Sequence, residues 1–235
     1  MWSYAIIYSI YMQPVDSIFY VLILIMSIVV HEFAHGYAAY LLGDNTARLQ
    51  GRLTLNPLKH LDPFGSVILP GLLVLMNAGF VFGWARPVPY NPNNLRNYKT
   101  GTMIVSIAGI FANLVLVIIF GLLFRYASVL GLPVFIADAV LVHPFYKIAG
   151  MIVMTNLMLA IFNLMPVPPL DGSKLLFALL PARLRHIENF LEKWGVFVFI
   201  LFVFFLGGVV FSIVSMLFPL VIGYDLLPFW SLFQV

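Results

Sequence analysis

Four long apolar runs constrain this chain more than any other feature of its sequence. The hydrocarbon core of a bilayer is about 30 Å thick, and a helix needs about 20 apolar residues to cross it. The composition agrees with such spans, since 63% of the 235 residues are hydrophobic and only 9% are charged. We therefore predict an all-α, multi-pass membrane protein with spans at residues 17–42, 101–124, 148–165 and 196–222.

A further apolar segment, residues 64–84, allows two interpretations. It is long enough to span, but Pro70 and Gly71 interrupt it. A span here would also place two strongly basic loops on opposite sides of the membrane, whereas basic loops tend to stay in the cytoplasm. We predict a re-entrant element, with a fifth span as the alternative, and a topology in which both termini lie outside the cytoplasm.

A short polar region follows the first span and contains a different pattern. From Leu49 to Asn56 apolar and polar side chains alternate, and Pro57 follows. A period of two is typical of a β-strand, and Asn-Pro is a common stop signal. We predict a small β-strand element near residues 48–56, which either receives an extended substrate as an added strand or packs against its own hairpin. We find no internal repeat or flexible linker, so residues 1–235 are predicted to form one domain.

The motif His31-Glu32-Phe33-Ala34-His35 lies late in the first apolar run. Residues four apart lie on one face of a helix, so both imidazoles can reach one metal ion. Glu32 lies on the flank of that face, where a carboxylate can act on water without ligating the metal. The alternative is a pair of histidines that only pack in the bundle.

A catalytic zinc ion needs three protein ligands and an open position. The chain has no cysteine, so the third ligand must be His, Asp or Glu. Asp171 is the best candidate, because it ends an apolar span where an unpaired carboxylate costs on the order of 2.5–3.5 kcal/mol. Helical rise places it at a membrane depth similar to that of His31, in the cytoplasmic half. The alternative is that Asp171 only caps the next helix.

Together with the histidine motif, residues 163–172, with the sequence NLMPVPPLDG, resemble the site-2 proteases, which are intramembrane zinc metalloproteases. This family's second motif has the form N-x-x-P-x-P-x-L-D-G. Residues 54–63 and 83–89 also look like small members of the family, and the chain resembles a form without a PDZ domain. One departure is Ile110, where the family often has proline in the motif G-P-x-x-N.

The resemblance implies one zinc ion per chain, held by three residues, namely His31, His35 and Asp171. It also implies that Glu32 is the general base and that Asn163 steadies the polarised carbonyl or the substrate backbone. The alternative for Asn163, and equally for Asn113, is a hydrogen bond between helices of the bundle.

We therefore expect an enzyme that hydrolyses a peptide bond within or beside the transmembrane segment of a membrane-protein substrate. The chain would sit in the cell membrane with its active site toward the cytoplasm. The net charge of +3 is spread over loops, so the expected partners are a membrane protein and the lipid bilayer, not nucleic acid. The alternatives are a metal carrier or sensor that uses the same ligands and a catalytically silent scaffold. The sequence specifies neither the substrate nor the oligomeric state.

Overall fold

The computed structural model describes residues 14–69, 72, 75–76, 85–127, 129, 131 and 144–223. Within these ranges, four helices are long and apolar enough to cross a membrane by length and composition, which confirms the prediction of four spans. They are α1 (Pro14–Leu41), α3 (Tyr98–Tyr126), α4 (Pro144–Leu164) and α6 (Arg185–Ile222).

Shorter helical elements connect these spans. Two are α-helical, namely α2 (Thr46–Leu49) and α5 (Asp171–Leu179). The rest are 3₁₀ turns at Pro57–Lys59, Pro92–Asn94 and Ala182–Leu184 and a π-helix at Pro63–Ile68.

The ends of the spans follow from local chemistry. Gly43 follows α1 with a φ of 112°, a left-handed conformation that costs glycine little and that is common where a helix ends. The side chain of Asn97 accepts a hydrogen bond from the backbone N–H of Thr100 and thereby caps the start of α3. Gly223, with a φ of 79°, ends α6 in the same manner as Gly43.

Helix α3 is the central element of the bundle, because it packs against α1, α4, α5 and α6. The main apolar core lies between α3, α4 and α6 and includes Val117, Val153 and Phe218. In the most apolar stretch of each span, 61% of α4 is buried, but only 11% of α6. The exposed phenylalanines of α6 therefore face the lipid.

Helix α6 begins earlier than the apolar pattern indicates. The last span was predicted to begin at residue 196, yet α6 starts at Arg185, within a polar stretch, and runs for 38 residues. At about 1.5 Å per residue it is about 57 Å long, roughly twice the thickness of the hydrocarbon core. We therefore expect its charged first turns, which include Glu188 and Lys193, to lie outside the hydrocarbon core.

The predicted β-strand near residues 48–56 is wrong, since the described part of the chain contains no strand. Residues 46–49 form a helical turn, Gly51 has a φ of 63°, and the N–H of Arg52 bonds to the carbonyl of Ala47. Leu49 is 84% exposed, so the alternation does not reflect one buried face. A strand also needs a partner to satisfy its backbone, and this segment closes its hydrogen bonds locally.

The predicted re-entrant element at residues 64–84 lies largely outside the described residues. Its start is a π-helix, Pro63–Ile68, which the side chain of Asp62 caps by accepting bonds from the N–H groups of Phe64 and Gly65. Capping of this kind orients the chain as it leaves the polar region.

Candidate metal centre

The two histidines of α1 meet on one face of the helix. His31 and His35 are 5% and 7% exposed, and their Nε2 atoms lie 3.0 Å apart. Their ring planes are nearly perpendicular, at 87°, and the short distance shows that the two Nε2 atoms face the same point. The helical spacing predicted from the sequence is therefore present.

Asp171 reaches the same point from the other end of the chain. The prolines that end α4 lead into irregular backbone with a cis Pro168–Pro169 bond, after which Asp171 is the first residue of α5. Its Oδ2 atom lies 3.0 Å from the Nε2 of His31 and 2.9 Å from that of His35. The cap position belongs to Leu170, and no side chain caps the helix, so the capping alternative for Asp171 is wrong.

The chemistry of these atoms fits a cation. The Nδ1 of His35 lies 2.7 Å from the carbonyl of Val105, which can only accept, so Nδ1 carries the proton and a neutral ring presents a lone pair at Nε2. The Nδ1 of His31 similarly faces the Oδ1 atom of Asn113 at 2.8 Å. Two lone pairs and a carboxylate oxygen about 3 Å apart repel one another unless a positive charge lies between them.

The spacing also suits zinc. Three atoms 2.9–3.0 Å apart can all lie about 2.0–2.1 Å from one ion, the usual distance for zinc with nitrogen or oxygen. Among the described residues, this is the group of three His, Asp or Glu side chains that could hold a metal ion.

Gly109 of α3 lies directly against this centre. A Cβ atom at that position would lie 2.5 Å from the Nε2 of His35 and 2.7 Å from that of His31. Any side chain at this position would therefore press on the two imidazoles. In the sequence, the spacing of four residues places Gly109 and Asn113 on one face of α3, and this spacing could have indicated that Gly109 faces the same site as Asn113.

Lys174 is a neighbour that the sequence analysis missed. Its Nζ atom lies 2.9 Å from Oδ1 of Asp171, the oxygen that does not face the histidines. Burial would lower the pKa of Lys174, but the charge of Asp171 and the hydrogen bond to it outweigh burial and raise the pKa. The ion pair engages Oδ1, which leaves Oδ2 as the oxygen that Asp171 offers to a metal ion.

Glu32 is half-buried beside the metal group. Its Oε2 atom accepts a hydrogen bond of 2.8 Å from the backbone N–H of Val88. Val88 is 5% exposed and packs over Gly36, one turn beyond Glu32 on α1. Segment 85–90 therefore covers the flank of the histidine motif and holds Glu32 in place.

Asp44, just after the end of α1, holds residues 91–94, which follow segment 85–90, by hydrogen bonds. Asp44 accepts bonds from Thr46, from the backbone N–H of Asn91 and from the side chain of Asn94. Burial would raise the pKa of Asp44, but these bonds outweigh burial and lower the pKa. The guanidinium of Arg52 donates in turn to the carbonyl of Arg86.

Asn163 is not part of the metal group in this structure. It lies in the last turn of α4, half-buried, and its Nδ2 atom donates to the carbonyl of Leu159 at 3.0 Å. The structure thus brings together His31, His35 and Asp171, with Glu32 beside them, and leaves Asn163 bonded within its own helix.

Comparison with known proteins identifies the family of this chain. The model of a family described as "Peptidase family M50" matches residues 125–206, which include α4 and α5. A Bacillus subtilis (strain 168) protein is 41% identical over 191 residues, which are 81% of this chain and 82% of the relative. The chain belongs to peptidase family M50. The resemblance to the site-2 proteases drawn from its motifs is thereby confirmed.

More distant M50 relatives occur in mycobacteria. A Mycolicibacterium smegmatis protein is 32% identical over 173 residues, which are 73% of this chain and 61% of that relative. The Bacillus and Mycolicibacterium proteins are both named "putative zinc metalloprotease", as YwhC and Rip2. No solved structure matches the chain. Family membership and the four apolar helices make this an integral membrane protein of a zinc metalloprotease family.

Proposed function

We propose that this protein is an intramembrane zinc metalloprotease that hydrolyses a peptide bond within or beside the transmembrane segment of a membrane-protein substrate. The observation that carries the proposal is the convergence of three acceptor atoms from His31, His35 and Asp171, with the carboxylate of Glu32 beside them. The two histidines lie within an apolar span, so the chemistry would take place at membrane depth.

The proposed roles divide between metal binding and proton transfer. His31, His35 and Asp171 would hold one zinc ion per chain. When bound, zinc supplies a Lewis acid that polarises a carbonyl and lowers the pKa of water. Glu32 would take a proton from the attacking water at Oε1, since Oε2 accepts from Val88, and then pass that proton to the leaving amine.

Asn163 is proposed to steady the substrate. In the present arrangement its Nδ2 atom donates within α4, and its Oδ1 atom is the remaining acceptor for a substrate N–H. A helical substrate must first be extended, because its backbone groups are already hydrogen-bonded. The described residues 48–56 form no strand, so they do not support the predicted role of this segment in receiving an extended substrate.

The orientation is proposed from charge. The basic residues of segments 44–63, 85–100 and 181–193 favour the cytoplasmic side. Segment 44–63 follows the end of α1 that carries the histidines, and segment 85–100 is hydrogen-bonded next to that end, from the N–H of Arg96 to the carbonyl of Leu42. We therefore propose that water and the active site communicate with the cytoplasm, in the cell membrane.

The test combines metal analysis with a cleavage assay on the purified full chain in lipid nanodiscs. A panel of single-span test peptides serves as substrate, and mass spectrometry locates any cut. Glu32→Gln should keep about one zinc ion per chain and lose cleavage by about 10²–10⁴-fold. Asp171→Asn should lose the metal as well. Glu192→Gln, an exposed position on α6, is the matched control and should behave as wild type.

Two results would contradict the proposal. Unchanged cleavage by Glu32→Gln would remove that residue as the base. A wild-type protein that binds zinc tightly, exchanges it and cuts no peptide in the panel would favour a metal carrier or sensor.

A further inference from the structure

A continuous row of buried polar side chains runs from the metal centre across three spans. From His31 on α1 it passes to Asn113 on α3, then to Asn156 on α4, and returns to Ser27 on α1. The three donor–acceptor distances are 2.8, 3.0 and 2.9 Å. Both asparagines are 0% exposed and Ser27 is 4% exposed, so water does not compete for these bonds.

The polarity of this row is fixed at one end by the backbone. The carbonyl of Ile152 can only accept, so the atom of Asn156 that lies 2.8 Å from it must be Nδ2. The Oδ1 of Asn156 therefore faces Asn113 and accepts from its Nδ2. The Oδ1 of Asn113 is then turned toward His31, whose Nδ1 must donate.

The two histidines differ in what holds them. The Nδ1 of His35 donates directly to a backbone carbonyl, that of Val105, which no side-chain substitution removes. The Nδ1 of His31 donates to an amide that could present either its oxygen or its nitrogen if nothing else restrained it. Only His31 depends on side chains for the identity of its protonated nitrogen.

We propose that Asn156 and Asn113 are positioning residues that keep the proton of His31 on Nδ1, so that the lone pair of Nε2 is always directed at the metal. Ile152 supplies the fixed acceptor that sets the direction of both amides. The inference rests on His31 being a zinc ligand, which is part of the proposed function, but it does not require that the protein cleave peptides.

The experiment measures where the proton lies. The full chain is labelled with ¹⁵N-histidine, stripped of zinc and studied by NMR in lipid nanodiscs between about pH 6 and pH 9. Loss of a signal in His31→Gln assigns the residue. We expect the Nδ1 of wild-type His31 to remain protonated throughout, whether or not Nε2 takes up a second proton.

The hydrogen bonds that run from Ile152 through Asn156 and Asn113 to His31 are called the relay below. Three variants separate the effect of the relay from that of general packing. Asn113→Leu and Asn156→Leu keep side-chain volume but remove the relay, so His31 should acquire a form with unprotonated Nδ1 while His35 does not. Zinc affinity, measured by competition with a chelating dye, should fall about 10–100-fold in Asn113→Leu and about tenfold in Asn156→Leu. Thr155→Val is the matched control, because its hydroxyl is buried on α4 without a hydrogen-bond partner.

The outcomes test the relay and the proposed proteolytic function separately. An unprotonated Nδ1 in zinc-free wild-type His31 overturns the relay without any variant having to fold. Wild-type tautomer and zinc affinity in Asn156→Leu overturn it too, as does an equal loss in Thr155→Val. A protonated Nδ1 and tight zinc binding without peptide cleavage would instead support the relay and contradict the proteolytic function.

Discussion

Gly109 offers the sharpest test of the metal centre, because it separates stability from metal binding. In Gly109→Ala the new methyl carbon would lie 2.5–2.7 Å from the Nε2 atoms of His31 and His35, against at least 3.4 Å for an ordinary contact. The imidazoles or α3 must therefore retreat by about 0.7–0.9 Å. Metal–ligand distances tolerate about 0.2 Å, so the three ligands can no longer meet one ion.

The effect on folding should be small in comparison. Alanine is favoured over glycine in a helix by about 1 kcal/mol, and overpacking costs about 1–3 kcal/mol. The net change in the free energy of unfolding is therefore a loss of about 0–2 kcal/mol. We expect a folded protein whose zinc affinity falls by more than about 100-fold.

The assay measures zinc per chain after dialysis against a chelator, the dissociation constant by dye competition, and thermal unfolding in nanodiscs. Gly208→Ala is the matched control on α6, where a Cβ atom would meet nothing within 4 Å. That variant should bind zinc as wild type does and unfold at the same or a higher temperature. If Gly109→Ala held zinc within about threefold of wild type, the contact between α3 and the histidines would be misassigned.

Three further substitutions test the surroundings of the site. Since the pKa of Asp44 is lowered in the folded protein, its carboxylate stabilises the fold fully above about pH 4, and this stabilisation is lost as pH falls through the folded pKa. Asp44→Asn should therefore lower the free energy of unfolding by about 2 kcal/mol at pH 7. Thermal unfolding at lower pH should show the difference between variant and wild type disappearing. Gly172→Ala should unfold α5 or abolish zinc binding, because the methyl group would meet the backbone of Leu164 and Met165; a zinc-loaded, normally stable variant would refute this. Ser27→Ala removes only one of two acceptors of Asn156, so calorimetry should show a loss of about 1 kcal/mol with nearly unchanged zinc affinity, and a loss of zinc binding would contradict the order of the relay.

The proposed ligand residues could be predicted from the sequence, because each of them leaves a local pattern or would be costly in an apolar span without a function. His31 and His35 are four residues apart on one helix, and Asp171 is a carboxylate at the end of an apolar run. The four spans were equally accessible, since twenty apolar residues admit few alternatives to a transmembrane helix.

The roles of the residues that hydrogen-bond to the proposed ligands could not be predicted from the sequence, because these roles depend on which helices are neighbours. Asn113 and Asn156 are 43 residues apart, and a single buried asparagine predicts a hydrogen bond but not its partner. The strand near residues 48–56 failed for a related reason. Alternation predicts a strand only where the apolar face is buried, and the exposed side chains of Leu49 and Leu55 show that this face is not buried.

The distance in sequence between the proposed ligands has a consequence for how such a protein is made. The Nε2 of His31 and the Oδ2 of Asp171 are 3.0 Å apart in space but 140 residues apart in the chain. During synthesis, the first span is complete long before the third ligand has left the ribosome. A nascent or truncated chain that ends before residue 171 therefore has two histidines but no closed metal site. The proposed hydrolytic activity would thus begin only after the third span has been inserted, so an incomplete chain would not cleave peptide bonds in the membrane.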